Sequence, residues 1–255
     1  MSKVRVFESM AEFMRYRDQF AADETFGFVP TMGALHQGHA SLIERSAREN
    51  KHTVVSIYVN PTQFNNPEDL KKYPRTWDAD LEIVSKAGGE IVISPRYEEI
   101  YADGYRYQIT EKQLASHMEG IHRPGHFDGV LTVVMKLLQM VQPHRAYFGE
   151  KDYQQFLLIR DMSQAFFLRS QIIGCATIRE EDGLAMSSRN VRLSPEGRKK
   201  APLIYQTLST TGDFEKSKKV LAENGIELEY LEEHFNRRFI AAFIDGVRLI
   251  DNVSI

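Results

Sequence analysis

Pro30-Thr31-Met32-Gly33-Ala34-Leu35-His36-Gln37-Gly38-His39 closes an apolar run that begins at Phe26 and opens an amphipathic stretch reaching Asn50. A short apolar run reads as a buried strand, and the spacing that follows is helical. Strand, sharp turn and helix make the repeating unit of open α/β sheets, which gather ligands outside the carboxyl ends of their strands. Gly33 and Gly38 let backbone come close to a bound group. The helix start offers free N–H groups and the positive end of its dipole, a seat for phosphate. His36 and His39 set two imidazole donors beside that seat. The distance from Gly33 to Gly38 is that of a P-loop, but His39-Ala40 stands where Lys and Ser or Thr are required. Two histidines three apart also suit a metal, yet no Cys or further His nearby completes a zinc set. A glycine-rich turn with two surface histidines is the plainer alternative.

Outward from this turn the alternation continues. Strands are expected at Phe26 to Pro30, Thr53 to Val59, Glu90 to Ser94, Arg145 to Phe148 and Gln171 to Cys175, with helices over His39 to Asn50, Asp78 to Ala87 and Tyr153 to Phe167. Val130, Val133, Val134, Leu137, Leu138 and Val141 trace one helical face that Pro143 ends. Strand and helix in repetition imply right-handed crossovers and a Rossmann-like α/β fold, a mostly parallel sheet with helices on both faces. After Arg179 the pattern changes to a polar loop, a basic helical stretch from Pro195 to Leu208, a weaker helix, and a hairpin around Asp245-Gly246. Residues 1–178 thus read as the main domain and 179–255 as a small C-terminal α+β lid.

The 255 residues carry 42% hydrophobic and 26% charged side chains and a formal net charge of −3. Such a balance leaves no electrostatic footprint for nucleic acid or an anionic membrane. Any anion must be held locally. Cys175 is the only cysteine, which excludes an intrachain disulfide and a Cys-based zinc cluster. It reads as a small buried hydrophobe. With no apolar run near the ~20 residues of a membrane span and no signal-peptide pattern at the N-terminus, a soluble cytoplasmic protein is expected.

Five further constellations lie along the chain. Asn60 and Gln63, in Val59-Asn60-Pro61-Thr62-Gln63-Phe64, are uncharged amides that suit a small hydroxylated acid better than a metal, although Asn-Pro also marks a plain turn. Asp80 lies near the start of its helix, where a carboxylate is ordinarily a cap. Arg123-Pro124-Gly125-His126 opens the clearest helix with two cationic or donor groups. Gly149-Glu150-Lys151-Asp152, followed by Gln155, repeats the logic of the first turn, with Lys151 a point charge suited to a triphosphate. Last, Met186-Ser187-Ser188-Arg189 sits on a glycine-started loop at the domain junction, able to donate to pyrophosphate or to serve as a linker.

His-x-Gly-His after a first strand resembles the signature of the nucleotidyltransferase and class I synthetase superfamily, and the longer string PTMGALHQGH resembles the pantothenate synthetases. The motifs occur in that family's order over nearly the whole chain. The resemblance implies ATP-dependent ligation of pantoate to β-alanine through a pantoyl-adenylate, releasing AMP and pyrophosphate. It implies ATP contacts from Pro30, Thr31, Met32, Gly33, His39, Gly149, Glu150, Lys151, Asp152, Met186, Ser187, Ser188 and Arg189, and pantoate contacts from Gln63, Gln155 and Asn60. It implies catalytic roles for His36, His39, Lys151, Arg123, His126, Ser187, Ser188 and Arg189, a magnesium-linked role for Asp80, and a homodimer. The family usually has a longer stretch between the basic helix and the final strands than this chain. An adenylyltransferase acting on a phosphorylated acceptor would share the His-x-Gly-His turn but has no need of the Asn60, Gln63 and Gln155 amides.

Overall fold

A computed structural model describes residues 4–21, 23–210 and 214–255. In chain order the strands are β1 (Arg5–Phe7), β2 (Phe26–Thr31), β3 (His52–Ile57), β4 (Ile91–Ile93), β5 (Arg145–Gly149), β6 (Gln171–Cys175), β7 (Glu227–His234), β8 (Arg237–Ile244) and β9 (Val247–Ser254). The helices are α1 (Met10–Arg17), α2 (Gln37–Glu49), α3 (Pro67–Lys71), α4 (Trp77–Lys86), α5 (Tyr97–Ile100), α6 (Glu119–His122), α7 (His126–Val141), α8 (Tyr153–Ala165), α9 (Pro195–Lys200), α10 (Pro202–Ser209) and α11 (Phe214–Glu223). None of the described helices is long and apolar enough to cross a membrane.

Two compact units divide the chain. The first is Met1–Gly149 with Gln154–Cys175, and the second is Glu150–Tyr153 with Ala176–Ile255. The break at Cys175 lies three residues before the one expected from sequence, and the short segment after β5 belongs to the second unit.

In the first unit six parallel strands run in the order β1-β4-β3-β2-β5-β6. Val29, Val55 and Val92 from neighbouring strands share a core with Ile43 of α2 and Val84 of α4, which is why these strands read as unbroken apolar runs. Cys175 is buried, its Sγ accepting from Arg45 Nη1 at 3.6 Å. The order reverses between β2 and β5: α2 leads from β2 to β3 on one side, and the chain returns through α7 to β5 on the other. The β2–β5 ladder covers only Gly27 and Phe28, whereas β2–β3 continues to Thr31. Pro30 explains the difference. Thr31 faces β3, accepting from the Tyr58 N–H at 3.1 Å, so the preceding Pro30 faces β5, where it has no N–H to give. Beyond the paired residues lies the switch point, where such sheets bind ligands.

The second unit has its own core. Leu184, Ile204, Leu208, Leu221, Ile240 and Leu249 bury one another between the helices and the antiparallel sheet β7-β8-β9. The expected hairpin at Asp245-Gly246 joins β8 and β9, both residues having positive φ. The basic helical stretch is broken into α9 and α10 at Pro202, whose ring cannot continue an i to i−4 ladder.

Candidate active site

The turn after β2 is held from below. Thr31 Oγ1 donates to Ser56 O at 2.6 Å and accepts from the Gly33 N–H at 3.2 Å. Gly33 and Ala34 then take positive φ of 78° and 50°, a conformation that costs a residue with a Cβ about 1 kcal/mol or more. The compensation comes from Asp80, only 2% exposed. Its Oδ2 accepts from the Ala34 N–H at 3.0 Å and its Oδ1 from the Leu35 N–H at 2.8 Å, with the Thr76 hydroxyl donating to Oδ1 at 3.0 Å. Asp80, which the resemblance linked to magnesium, has both oxygens engaged by the turn. Both oxygens face N–H and O–H protons, surroundings that satisfy an anion and repel a cation. Among the described residues no group of three His, Cys, Asp or Glu side chains is placed to hold a metal.

His36 and His39 close the turn. His36 is the N-cap of α2, its Nδ1 accepting from the Gly38 N–H at 3.1 Å, while His39 Nδ1 accepts from the His36 N–H at 3.3 Å. A backbone N–H can only donate, so each neutral ring must carry its proton on Nε2. The rings lie 4.2 Å apart. Two Nε2–H donors therefore sit at a helix N-terminus, at the switch point, in a fixed tautomer.

The second strand end builds around Gln63. Asn60, 1% exposed, donates from Nδ2 to Gln63 Oε1 at 3.1 Å and to Gly129 O at 3.2 Å. Its Oδ1 accepts from the Tyr101 hydroxyl at 2.8 Å and the Thr62 hydroxyl at 3.0 Å. Both protons and both lone pairs of the amide are thereby used. Asn60, expected among the pantoate contacts, holds Gln63. Burial pushes the Tyr101 phenol up to about 12, which keeps it a donor across the physiological range.

Arg123 and His126 grip the main chain of the same residue. Arg123 Nη1 stands 3.0 Å from His126 Nε2, and a guanidinium only donates, so Nε2 accepts and Nδ1 carries the proton given to Gln63 O at 2.8 Å. Arg123 Nη2 reaches the same carbonyl at 3.4 Å, and Nη1 is 3.5 Å from the buried Glu119 carboxylate. Expected at the reaction centre, both side chains act as braces for the Gln63 turn. Gln63 Nε2 meets Met32 Sδ at 3.2 Å. Further along, the adjacent glutamines of α8 have divided their work. Gln154 is buried and ties down Leu114 O, His117 O and the Glu119 N–H, whereas the half-buried Gln155 amide is committed to no hydrogen bond among the described residues.

Of the remaining expected residues, Gly149 ends β5 in the first unit and the others lie in the second. Glu150–Asp152 form a 3-10 turn whose Glu150 and Lys151 carbonyls both accept from Asn252 Nδ2 at 2.9 Å. Arg237 donates to Asn252 Oδ1 at 2.6 Å and stacks over Tyr153 at 4.3 Å. Lys151 Nζ is 3.9 Å from Asp152 Oδ2. Met186, Ser187, Ser188 and Arg189 follow a hairpin-like loop closed by the Glu180 N–H to Leu184 O bond at 2.8 Å and the Met186 N–H to Ile178 O bond at 3.0 Å. Arg198 braces that loop through Glu180 and Asp182, both at 2.6 Å, and holds the Asp182 carboxyl below the usual range. Ser187 Oγ accepts from the Arg189 N–H at 3.2 Å. Sequence reading missed Tyr101 and Asn252. Nothing local marks either, because their partners lie 41 and about 100 residues away.

An open parallel sheet with paired imidazoles capping the helix at its switch point defines an α/β nucleotide-handling enzyme. Residues 5–254 match the family model of pantoate-beta-alanine ligase. Pantothenate synthetase from Bdellovibrio bacteriovorus is 49% identical, covering 98% of this chain and 99% of its own, and that of Legionella pneumophila is 51% identical with the same coverage. A crystal structure of pantoate-beta-alanine ligase from Francisella tularensis, complexed with beta-gamma ATP and β-alanine, superposes with a TM-score of 0.95 at 41% identity, covering 98% of this chain and 97% of the other. The crystal structure of pantothenate synthetase from Thermus thermophilus gives 0.88 at 39% identity, covering 98% and 99%. The chain belongs to the pantoate–β-alanine ligase family. These relatives share the chain's short C-terminal region.

Proposed function

We propose that the chain condenses pantoate with β-alanine in two steps at the expense of ATP. The observation that carries this reading is the pair of Nε2–H donors fixed by backbone at the N-terminus of α2. A carboxylate cannot acylate an amine directly, because oxide is too poor a leaving group. In the first step a pantoate carboxylate oxygen attacks the α-phosphorus of ATP, the bond to the β-phosphoryl oxygen breaks, and pyrophosphate departs. In the second the β-alanine amine attacks the acyl carbon, AMP leaves with the carboxylate oxygen, and the amide forms as the amine loses its proton. The substrate is its own nucleophile. The enzyme's work is alignment and preorganised charge stabilisation.

His36, His39, Lys151, Ser187, Ser188 and Arg189 serve the phosphates in this reading, with Thr31, Gly33 and Asp80 shaping the first turn. Gln63 and Gln155 hold pantoate, with Asn60, Arg123 and His126 bracing Gln63. Magnesium would enter with ATP and supply charge neutralisation at its phosphates. The family resemblance extends the reading to a homodimer in the cytoplasm. The test is a single-turnover assay with ATP and pantoate but no β-alanine. One equivalent of pyrophosphate per site is expected; release that requires β-alanine overturns the stepwise scheme.

A further inference from the structure

The hydrogen bonds around Asn60 decide which end of the Gln63 amide faces outward. Gly129 contributes a main-chain carbonyl, which only accepts, so the Asn60 atom 3.2 Å away must be Nδ2. Its other proton goes to Gln63 Oε1 at 3.1 Å. With Oε1 engaged as acceptor, Nε2 becomes the group Gln63 can offer, and its contact at 3.2 Å is the weak acceptor Met32 Sδ. The far end of Asn60 is pinned in the same sense. Tyr101 donates to Oδ1 at 2.8 Å, and the Thr62 hydroxyl lies 3.0 Å from both Oδ1 and the Tyr101 hydroxyl.

Tyr101 is itself immobilised. It is 2% exposed, and Lys136 lies 5.0 Å over its ring while donating to Ile100 O and Asp103 Oδ1, each at 2.8 Å. The Tyr105 hydroxyl also reaches Thr62 and Thr132. The chain from Tyr101 through Asn60 to Gln63 thus has one consistent set of proton positions. Flipping the Gln63 amide would set Nε2 against Asn60 Nδ2, and flipping Asn60 would set Oδ1 against Gly129 O.

We propose that Tyr101 is a positioning residue for the acid substrate: through Asn60 its hydroxyl fixes Gln63 as a hydrogen-bond donor, so the site selects a substrate presenting an oxygen acceptor there. The proposal rests on the reading of Gln63 as a pantoate contact. Thr62 is the second hydroxyl of the relay and partly substitutes for Tyr101.

Tyr101→Phe, Thr62→Val, the double variant, Gln63→Ala and Gln63→Ala/Tyr101→Phe separate the possibilities. Each is assayed for KM of pantoate, KM of ATP and melting temperature. Tyr101→Phe removes one oxygen and keeps the ring. It should raise the pantoate KM about fivefold, as for one lost hydrogen bond, and the double variant should raise it further, with the ATP KM unmoved. In the Gln63→Ala background the Tyr101→Phe effect should vanish, as coupling through one side chain requires. If Gln63→Ala raises the pantoate KM and the double hydroxyl variant does not, the relay is wrong while the reading of Gln63 stands. Should Gln63→Ala itself leave that KM unchanged, it is the reading of Gln63 that fails. Equal rises in both KM values together with a lower melting temperature overturn the proposal in favour of general destabilisation. If Tyr101→Phe cannot be purified folded, Thr62→Val carries the same comparison.

Discussion

Ala34 holds a φ of 50° while Asp80 collects the N–H groups of the peptides on either side of it. The carboxylate accepts three hydrogen bonds from a buried position, and an asparagine there has a single accepting oxygen. Asp80→Asn must therefore turn its NH2 group toward a backbone N–H or toward the Thr76 hydroxyl. Leaving one buried donor unsatisfied costs about 1–3 kcal/mol. The expected outcome is a loss of that size in urea denaturation. Turnover should also fall by more than the unfolded fraction explains, because the turn carrying His36 and His39 loosens. Unchanged stability would mean that the backbone, rather than Asp80, enforces the turn. The histidines were legible because their chemistry and spacing lie within ten residues of each other. The job of Asp80 was not, since its partners Ala34 and Leu35 sit 46 and 45 residues upstream and its place near a helix start suggested a cap.

At the level of elements, the decisive contact is between α7 and the 3-10 turn Pro61–Gln63. A Cβ at Gly129 would stand 2.5 Å from Thr62 O and 2.7 Å from the Gln63 N, both backbone atoms that cannot swing aside. Helix propensity alone favours Gly129→Ala by about 1 kcal/mol. Overpacking against main chain costs about 1–3 kcal/mol, so sterics win and the variant should be less stable. Displacing the turn also breaks the Asn60 to Gly129 O bond, so the pantoate KM should rise while the ATP KM holds. A variant of wild-type stability and kinetics would show that the two elements slide apart freely. The long periodic face of α7 and the apolar runs of β2, β3 and β5 were readable from residue order. The three-residue β1 was too short to show a period, and β7, with Glu at four of its eight positions, does not look like a strand. Its order comes from pairing with β8, a partner that local pattern does not reveal.

Across the whole molecule, His36, His39, Gln63 and Gln155 belong to the first unit and Lys151, Ser187, Ser188 and Arg189 to the second. Residue order places Lys151 directly after β5 and would group it with the parallel sheet. The structure groups it with the C-terminal strands, and Asn252 is the reason. This β9 side chain, 1% exposed, gives its two protons to the Glu150 and Lys151 carbonyls and takes one from Arg237. Asn252→Ala removes all three bonds and leaves two turn carbonyls without those donors. The backbone that carries the Lys151 ammonium then loses its tether, while Gln63 and its braces, in the other unit, are untouched. If Lys151 serves the triphosphate, the ATP KM should rise about five- to tenfold, the size expected from losing a hydrogen bond or slightly more, with the pantoate KM unchanged. Hydrogen exchange supplies the control: in the variant the amides of Glu150 to Tyr153 should exchange faster while those of β5 do not. Faster exchange with an unaltered ATP KM would separate the turn from the phosphates and remove Lys151 from the proposed set. A pantoate KM that rises in step would show instead that the variant loosens the enzyme as a whole.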